Sequence, residues 1–126
     1  MSLRAFFTVL VVGFAWPLFA EQPTADQLEF FESKIRPIFV EHCYQCHATG
    51  AEDIEGGLVL DSRWGWETGG DSGPAIVPGD TAESLVMHAV RYQEDVVSAM
   101  PPKSKLPDKQ IELLERWIEM LSLIHI

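Results

Sequence analysis

The chain has few cysteines and few basic residues. The first shortage limits the metal sites that it can form, and the second limits the partners that it can bind. Cys43 and Cys46 are its only cysteines, so a zinc site built from three or four thiolates is excluded within this chain. Nine lysines and arginines face 19 aspartates and glutamates, and so acidic a protein is a poor partner for nucleic acid or for an anionic membrane. The apolar run at residues 5–16 is too short to span a bilayer comfortably.

Residues 1–20 have the pattern of a secretory signal peptide. Arg4 supplies the positive start, the apolar run follows, and Pro17 ends it shortly before a small residue, Ala20, at the cleavage position. An uncleaved segment is the alternative. We therefore predict a periplasmic or otherwise extracytoplasmic protein whose mature part begins near Glu21, with no membrane association beyond the signal segment. Without Arg4, 8 basic residues face 19 acidic ones, a formal charge of −11.

The two cysteines belong to a C-x-x-C-H run at residues 43–47. Two thiols at this spacing lie about one helical turn apart, close enough to bond both vinyl groups of one porphyrin, and the imidazole of His47 follows directly to reach the iron. The run predicts covalent attachment of one haem c through Cys43 and Cys46, with His47 as the proximal ligand. Export strengthens the prediction, because free thiols outside the cytoplasm tend to oxidise.

Two other uses of the same run are open. A C-x-x-C pair can form a redox disulfide, but such a pair should lie near a βαβ pattern, and none appears. A zinc site of two thiolates and two imidazoles would need His47 together with His42, His88 or His125. Of these, only His42 and His47 have the spacing of a finger-like pair, and they bracket the cysteines instead of following them. Haem c is therefore the favoured interpretation.

Met100 is the candidate for the sixth iron ligand. Pro101 biases Met100 toward an extended backbone conformation, and the two prolines, Pro101 and Pro102, stiffen the loop. Methionine–histidine ligation is common in cytochromes c, whereas most methionines simply pack into a core. His88 is the rival ligand, but it falls on the polar side of its predicted helix, and Met87 falls at the edge of the apolar stripe.

Three helices are predicted from the spacing of apolar residues. The first opens at a capping-box pattern, residues 24–27, and should kink or restart at Pro37. The second opens at a similar pattern, residues 80–83, and the third has Pro107 at its first position. A loop region, residues 49–79, lies between the first two and contains a short extended piece at 58–60. The predicted core positions are Leu28, Phe31, Ile35, Ile38, Leu85, Val86, Ala89, Val90, Ile111, Leu114, Trp117, Ile118 and Leu121.

The loop region contains GDSGP at residues 70–74, which is similar to the nucleophile segment of trypsin-like proteases. A protease triad needs a two-barrel β fold and far more chain between its members, whereas only about thirty residues separate this segment from His42. The glycines and aspartates are therefore interpreted as turn formers.

Several segments together resemble the planctomycete-type cytochrome c domain, over about residues 28–120. They are 35–39 leading into 43–47, then 56–63, 69–80, and Met100-Pro101-Pro102 followed by 114–118. The resemblance implies a mostly α, class I cytochrome c-like fold with three main helices around one covalent haem. It matches Met100 to the methionine of the family's M-P-P segment. Residues 64–66, Trp-Gly-Trp, differ from the polar or aliphatic residues that the family more usually has after the Asp-Ser-Arg run. Family members usually form the N-terminal part of longer secreted proteins, so we expect fusion to further domains.

Arg63 is the predicted partner of a haem propionate. It follows the turn at residues 61–62, and an anion beside a haem needs a donor. The indole N–H of Trp64 or Trp66 could add a second donor. A solvated arginine beside surface tryptophans is the alternative interpretation.

The predicted function is single-haem electron transfer by residues 21–120, with His47 and Met100 as axial ligands. Nothing supplies a substrate pocket with paired acid and base groups, so we expect no independent catalysis. Two alternatives are open: an electron relay in a larger secreted enzyme, and a haem-based sensor in which a small ligand displaces Met100. The acidic charge suits a basic redox protein as partner, and solubility alone explains the charge equally well.

Residues 121–126 have no helix-stop signal and would leave an apolar tail exposed. They also read as the in-frame translation of a transposon-adapter end used in sequencing libraries. We expect this tail to be non-native and His125 to carry no function. A genuine hydrophobic terminus is the alternative.

Overall fold

The computed structural model describes residues 9–13 and 22–121, and within them the chain is mostly helical, as predicted. The α-helices are α1 (Ala25–Phe30), α2 (Arg36–His42), α3 (Arg63–Thr68), α4 (Leu85–Val90) and α5 (Asp108–Leu121), and a short 3-10 helix spans Glu55–Gly57. The described residues form no strand, only isolated β-bridges between Gly70 and Gly73 and between Val77 and Asp80. No helix in the described part of the chain is long and apolar enough to cross a membrane.

The N-terminal helical segment begins at the predicted capping box. The Thr24 hydroxyl accepts a hydrogen bond from the Gln27 amide at 3.2 Å, and the Gln27 side chain accepts one from the Thr24 amide at 2.9 Å. A π-helical turn, Phe31–Ile35, joins α1 to α2 directly before Pro37, which lies in the first turn of α2. This turn is the interruption that Pro37 predicts, because proline has no amide hydrogen to continue the α-helical ladder.

The core forms around α5, whose predicted apolar stripe is buried throughout: Ile111, Leu114, Trp117, Ile118 and Leu121. Trp117 lies at its centre. Its ring centroid is 5.2 Å from that of Phe31, 5.8 Å from Phe39 and 5.7 Å from Trp66, the last two in edge-to-face contact. One side chain thus connects α5 to the N-terminal segment and to α3. The core prediction was wrong for Leu28, which is 50% exposed.

Helix α3 was not predicted, because its sequence was assigned to a loop. The Ser62 side chain caps it by accepting a hydrogen bond from the Gly65 amide at 3.0 Å. The helix lies so close to the preceding chain that a Cβ at Gly65 would be 2.5 Å from the carbonyl oxygen of Val59. Close packing of Gly65 therefore places Trp66 in the core, while Trp64 stays 74% exposed.

Helix α4 begins later than the sequence predicts. Asp80 does accept a hydrogen bond from the Glu83 amide, but residues 81–83 form a turn, and the helix starts at Leu85. The fully buried Ser84 fixes this start, since its hydroxyl lies 2.9 Å from the Val77 amide and 2.6 Å from the Asp80 carbonyl oxygen. These bonds hold α4 against the loop, with Val86 and Val90 turned into the core.

Two predicted segments lie largely outside the described residues. Of the predicted signal peptide, residues 1–20, only 9–13 are described; they form no helix or strand, and Val9, Leu10, Val11 and Val12 are exposed. Of the predicted tail, Leu121 is the buried last residue of α5, and residues 122–126 lie outside the described part.

Candidate functional site

A cleft of about 320 Å3 gathers Cys43, His47 and Met100 at one place. Its walls come from the attachment segment, residues 43–47, from the glycine-rich loop, from α4 and from the loop that carries Met100. Most of the wall is apolar: Leu58, Leu60, Ala75, Leu85, Val86, Ala89, Val90 and Val97. The thiol and the imidazole of the C-x-x-C-H run thus line one hydrophobic cleft together with the thioether of Met100, which comes much later in the sequence.

Backbone hydrogen bonds fix the attachment segment on both sides. The amides of Cys46 and His47 both donate to the Cys43 carbonyl, at 3.2 and 2.9 Å, so the chain turns back and brings His47 beside Cys43. Further on, the Leu60 amide donates to the His47 carbonyl at 2.7 Å. The segment therefore forms a turn whose backbone conformation is fixed by hydrogen bonds, and this conformation sets the direction of the Cα–Cβ bonds.

The His47 ring is oriented by one polar contact. Its Nδ1 lies 3.3 Å from the backbone carbonyl oxygen of Leu58. Since a carbonyl oxygen can only accept, a hydrogen bond here requires Nδ1 to donate, and Nε2 is then the nitrogen left for a metal. This is the arrangement that a metal-binding histidine requires, with the second nitrogen oriented by a hydrogen bond.

The two cysteines differ in their surroundings. Cys43 is partly buried and lines the cleft, and burial raises the pKa of its thiol to about 12. Cys46 is exposed and is not part of the cleft lining. The two thiols are free, so the structure contains no disulfide between them.

Met100 lines the cleft, whereas the two other candidate ligands, Met87 and His88, do not. The Met100 amide donates to the Ala89 carbonyl at 3.0 Å, which ties its loop to the end of α4 beside the cleft. Met87 is fully buried in the core and does not line the cleft. His88 has both ring nitrogens 2.6 Å from oxygen atoms, Nδ1 from the Gln93 side chain and Nε2 from the Ala82 carbonyl, so neither is directed to the cleft.

Arg63 lies away from the cleft that holds the other predicted site residues. It forms an ion pair with Glu67, one turn later on α3, at 3.0 Å, and its guanidinium lies 5.6 Å from the centroid of the Trp66 ring. It lines a second cavity of about 570 Å3 between the N-terminal segment, α3 and the end of α5. The contact of Arg63 with a haem propionate stays a prediction.

The other chemistries considered for these residues find no matching arrangement. In the part of the chain that the structure describes, no three or more histidine, cysteine, aspartate or glutamate side chains are close enough to hold a metal ion. Ser72 and His42 both line the cleft, yet among the described residues no hydrogen bond joins them. His42 instead lies 3.7 Å from the Glu41 carboxylate.

Sequence reasoning missed two groups that support the site. The Leu58 carbonyl orients His47, and a backbone acceptor leaves no trace in side-chain patterns. Tyr92 donates a hydrogen bond to the Pro101 carbonyl, directly after Met100. The only available signal was the presence of a tyrosine between the second predicted helix and the M-P-P segment, which is too weak to assign a role.

The residues of the cleft fit a haem c. The donor set is one thiol in the wall with a second at the surface, an imidazole oriented through Nδ1, and a thioether, and most of the remaining wall is apolar. These are the groups that bind a c-type haem and shield it from water.

The family comparison agrees with this geometry. Residues 43–104 match the family model described as Planctomycete cytochrome C. No curated protein and no solved structure gives a significant match. The chain therefore contains a planctomycete-type cytochrome c domain. Membership of a cytochrome c family indicates electron transfer by a haem protein, with the haem held covalently, and such domains are typically extracytoplasmic.

Proposed function

We propose that this planctomycete-type cytochrome c domain is a single-haem electron carrier in which Cys43 and Cys46 hold the haem, and His47 and Met100 are its axial ligands. The observation that carries the proposal is the cleft that collects Cys43, His47 and Met100 between apolar walls. We also propose that the carrier works in the periplasm or another extracytoplasmic compartment, after export by the predicted signal peptide.

Each group has a distinct role in this proposal. Cys43 and Cys46 form thioether bonds to the porphyrin and fix its position on the turn at residues 43–47. His47 offers Nε2 to the iron, because the Leu58 carbonyl occupies its other nitrogen. Met100 offers a neutral, polarisable sulfur, which favours the reduced state. When bound, haem c supplies reversible one-electron exchange at its iron.

The apolar wall supports our proposal that the domain carries electrons and does not itself catalyse a reaction. The acidic groups of the cleft, Glu55 and Asp71, are exposed, so the described lining offers no buried carboxylate to act as acid or base. Apolar side chains from α4 would cover a haem bound in the cleft and limit the rearrangement of solvent around it when its charge changes.

Covalent attachment gives the direct test of the proposal. The chain exported together with a cytochrome c maturation system should give a red protein whose haem stays bound after acid–acetone extraction. The Cys43→Ala/Cys46→Ala variant should lose essentially all of this haem, because no other cysteine can form a thioether bond. Ser33→Ala/Ser104→Ala serves as a control, because it replaces two small polar side chains at exposed positions that do not line the cleft. Haem that survives extraction in the double cysteine variant would refute the attachment.

We propose further that the redox partner is basic. The mature part carries a formal charge of −11, and Glu55 and Asp71 place two exposed carboxylates at the mouth of the cleft. Electron exchange with a basic redox protein should slow about tenfold from low to physiological ionic strength, because salt screens the attraction that steers the two proteins together.

Stopped-flow measurements of that rate distinguish a docking role from mere solubility. Glu55→Gln/Asp71→Asn should reduce both the rate and its dependence on salt. Glu29→Gln/Glu112→Gln removes the same charge from exposed positions that do not line the cleft and should have a smaller effect. Equal effects of the two pairs would mean that the cleft carboxylates serve only general solubility.

A further inference from the structure

Tyr92 has an unusual backbone conformation at the end of α4. Its φ angle is +60°, and it is the only described residue other than glycine with a positive φ. A helix commonly ends with a left-handed residue at this position, but glycine is normally used, because a side chain is disfavoured there. A bulky residue in this conformation suggests that its side chain has a function that glycine could not supply.

The contacts of Tyr92 lead to the proposed ligand Met100. The Tyr92 hydroxyl donates a hydrogen bond to the Pro101 carbonyl oxygen. The amides of Tyr92 and Met100 both donate to the Ala89 carbonyl, at 3.2 and 3.0 Å. Met100 is thus held on both sides: its own amide is tied to α4, and the carbonyl of the following residue is tied to the Tyr92 side chain.

Residues next to Tyr92 hold it in place. The Gln93 amide donates to the His88 carbonyl at 3.0 Å, and the Gln93 side-chain oxygen lies 2.6 Å from Nδ1 of His88. The left-handed turn therefore has a fixed position relative to α4. A change of φ at residue 92 would direct the ring elsewhere, so the backbone conformation and the hydroxyl contact belong together.

We propose that Tyr92 is a positioning residue that keeps the Met100 sulfur in the cleft and thereby disfavours exchange for an external ligand. This inference rests on the proposed ligation by Met100. An external ligand can bind the iron only in the fraction of molecules in which Met100 has moved away. A hydrogen bond that holds the loop closed reduces this fraction, and so weakens the apparent affinity for the external ligand.

Imidazole binding to the oxidised holoprotein measures that fraction. Tyr92→Phe keeps the ring but removes the hydroxyl, and should tighten imidazole binding by about three- to tenfold, the effect of one net hydrogen bond. It should also weaken the long-wavelength charge-transfer band of thioether-ligated ferric haem. Thr68→Val is the control, because it also removes one hydroxyl, at an exposed position that does not line the cleft.

A mutant cycle with Met100→Ala separates this inference from the proposed ligation. Met100→Ala should itself tighten imidazole binding, and Tyr92→Phe should then add nothing, since no sulfur is left to displace. If Met100→Ala leaves the affinity unchanged, the ligation and the inference both fail. If Met100→Ala tightens binding but Tyr92→Phe does not, only the inference fails. An equal effect of Tyr92→Phe with and without Met100 would also overturn it.

Tyr92→Gly separates the hydroxyl from the backbone. Glycine adopts the left-handed conformation without penalty, so this variant keeps the helix end and removes only the side-chain contact. It should tighten imidazole binding as Tyr92→Phe does. Wild-type affinity in Tyr92→Gly would show that the backbone alone holds Met100, and would overturn the role of the hydroxyl.

Discussion

Replacement of Met100 by histidine should keep the iron six-coordinate and lower the reduction potential by on the order of 0.1 V or more, within the ~0.8 V range that axial ligands span. The reason is chemical: a neutral thioether stabilises ferrous iron, whereas an imidazole is a stronger donor and stabilises ferric iron. Spectroelectrochemical titration of the holoprotein measures the shift directly.

Met100→Ala tests the same assignment without adding a new ligand. Loss of the thioether should open the distal position, so the reduced variant should bind carbon monoxide while the wild type binds it poorly. Strong binding of carbon monoxide by the wild type would instead favour the sensor interpretation, in which a small ligand displaces Met100.

Two controls follow from the positions of the rival ligands. His88→Ala removes a ring whose nitrogens are already close to Ala82 and Gln93 oxygens, and Met87→Leu makes a volume-conserving change in the core. Neither should remove the spectral signature of thioether ligation; His88→Ala also removes the contact to Gln93 beside Tyr92, so Met87→Leu is the stricter control. If Met100→Ala behaves like wild type and one of these variants does not, the ligand assignment moves to that residue.

Sequence periodicity predicted the parts of the fold that depend on regular helical spacing. All five predicted positions of α5 are buried, and the Thr24 capping box forms as its pattern indicates. Both features are local, since a stripe and a cap are complete within one helix.

Periodicity failed where the helix changes its winding. Leu28 lies on α1, before the π-helical turn, while the buried Ile35 and Ile38 lie at its end and beyond it. A π-helical turn has more residues than an α-helical one, so the face of the helix shifts across it. The α-helical period therefore does not carry over from Leu28 to Ile38.

The position of Arg63 could not be predicted because α3 was missed. Trp64, Gly65 and Trp66 have low helix propensity, and the glycine is needed for packing against Val59, a tertiary reason that overrides local preference. Once α3 forms, Glu67 lies one turn from Arg63 and pairs with it. Arg63 lines the second cavity, while Cys43, His47 and Met100 line the cleft.

The haem-free chain should be largely unfolded or molten, because its core is incomplete without the cofactor. The cleft measures about 320 Å3, and cavities cost about 24 cal/mol per Å3. The product, about 8 kcal/mol, is an upper bound, because the cleft opens to solvent; it is still comparable to the ~5–15 kcal/mol that stabilises a typical domain. Cys43→Ala/Cys46→Ala protein prepared without haem should lack near-ultraviolet circular dichroism and show no cooperative melting, whereas the holoprotein should melt cooperatively.

A cleft-filling substitution tests whether the cavity is the cause of that instability. Ala89 lines the cleft on α4, and Ala89→Leu should restore part of the missing packing in haem-free protein while reducing haem incorporation during export. Ala82→Leu adds the same side chain at an exposed position and should do neither. Ala89→Leu should thus raise the stability of the haem-free protein and lower its haem content, because the added apolar atoms take the place of contacts that the porphyrin would make. Cooperative melting of the haem-free chain with native-like near-ultraviolet dichroism would contradict this account, and would mean that the helices pack without the cofactor.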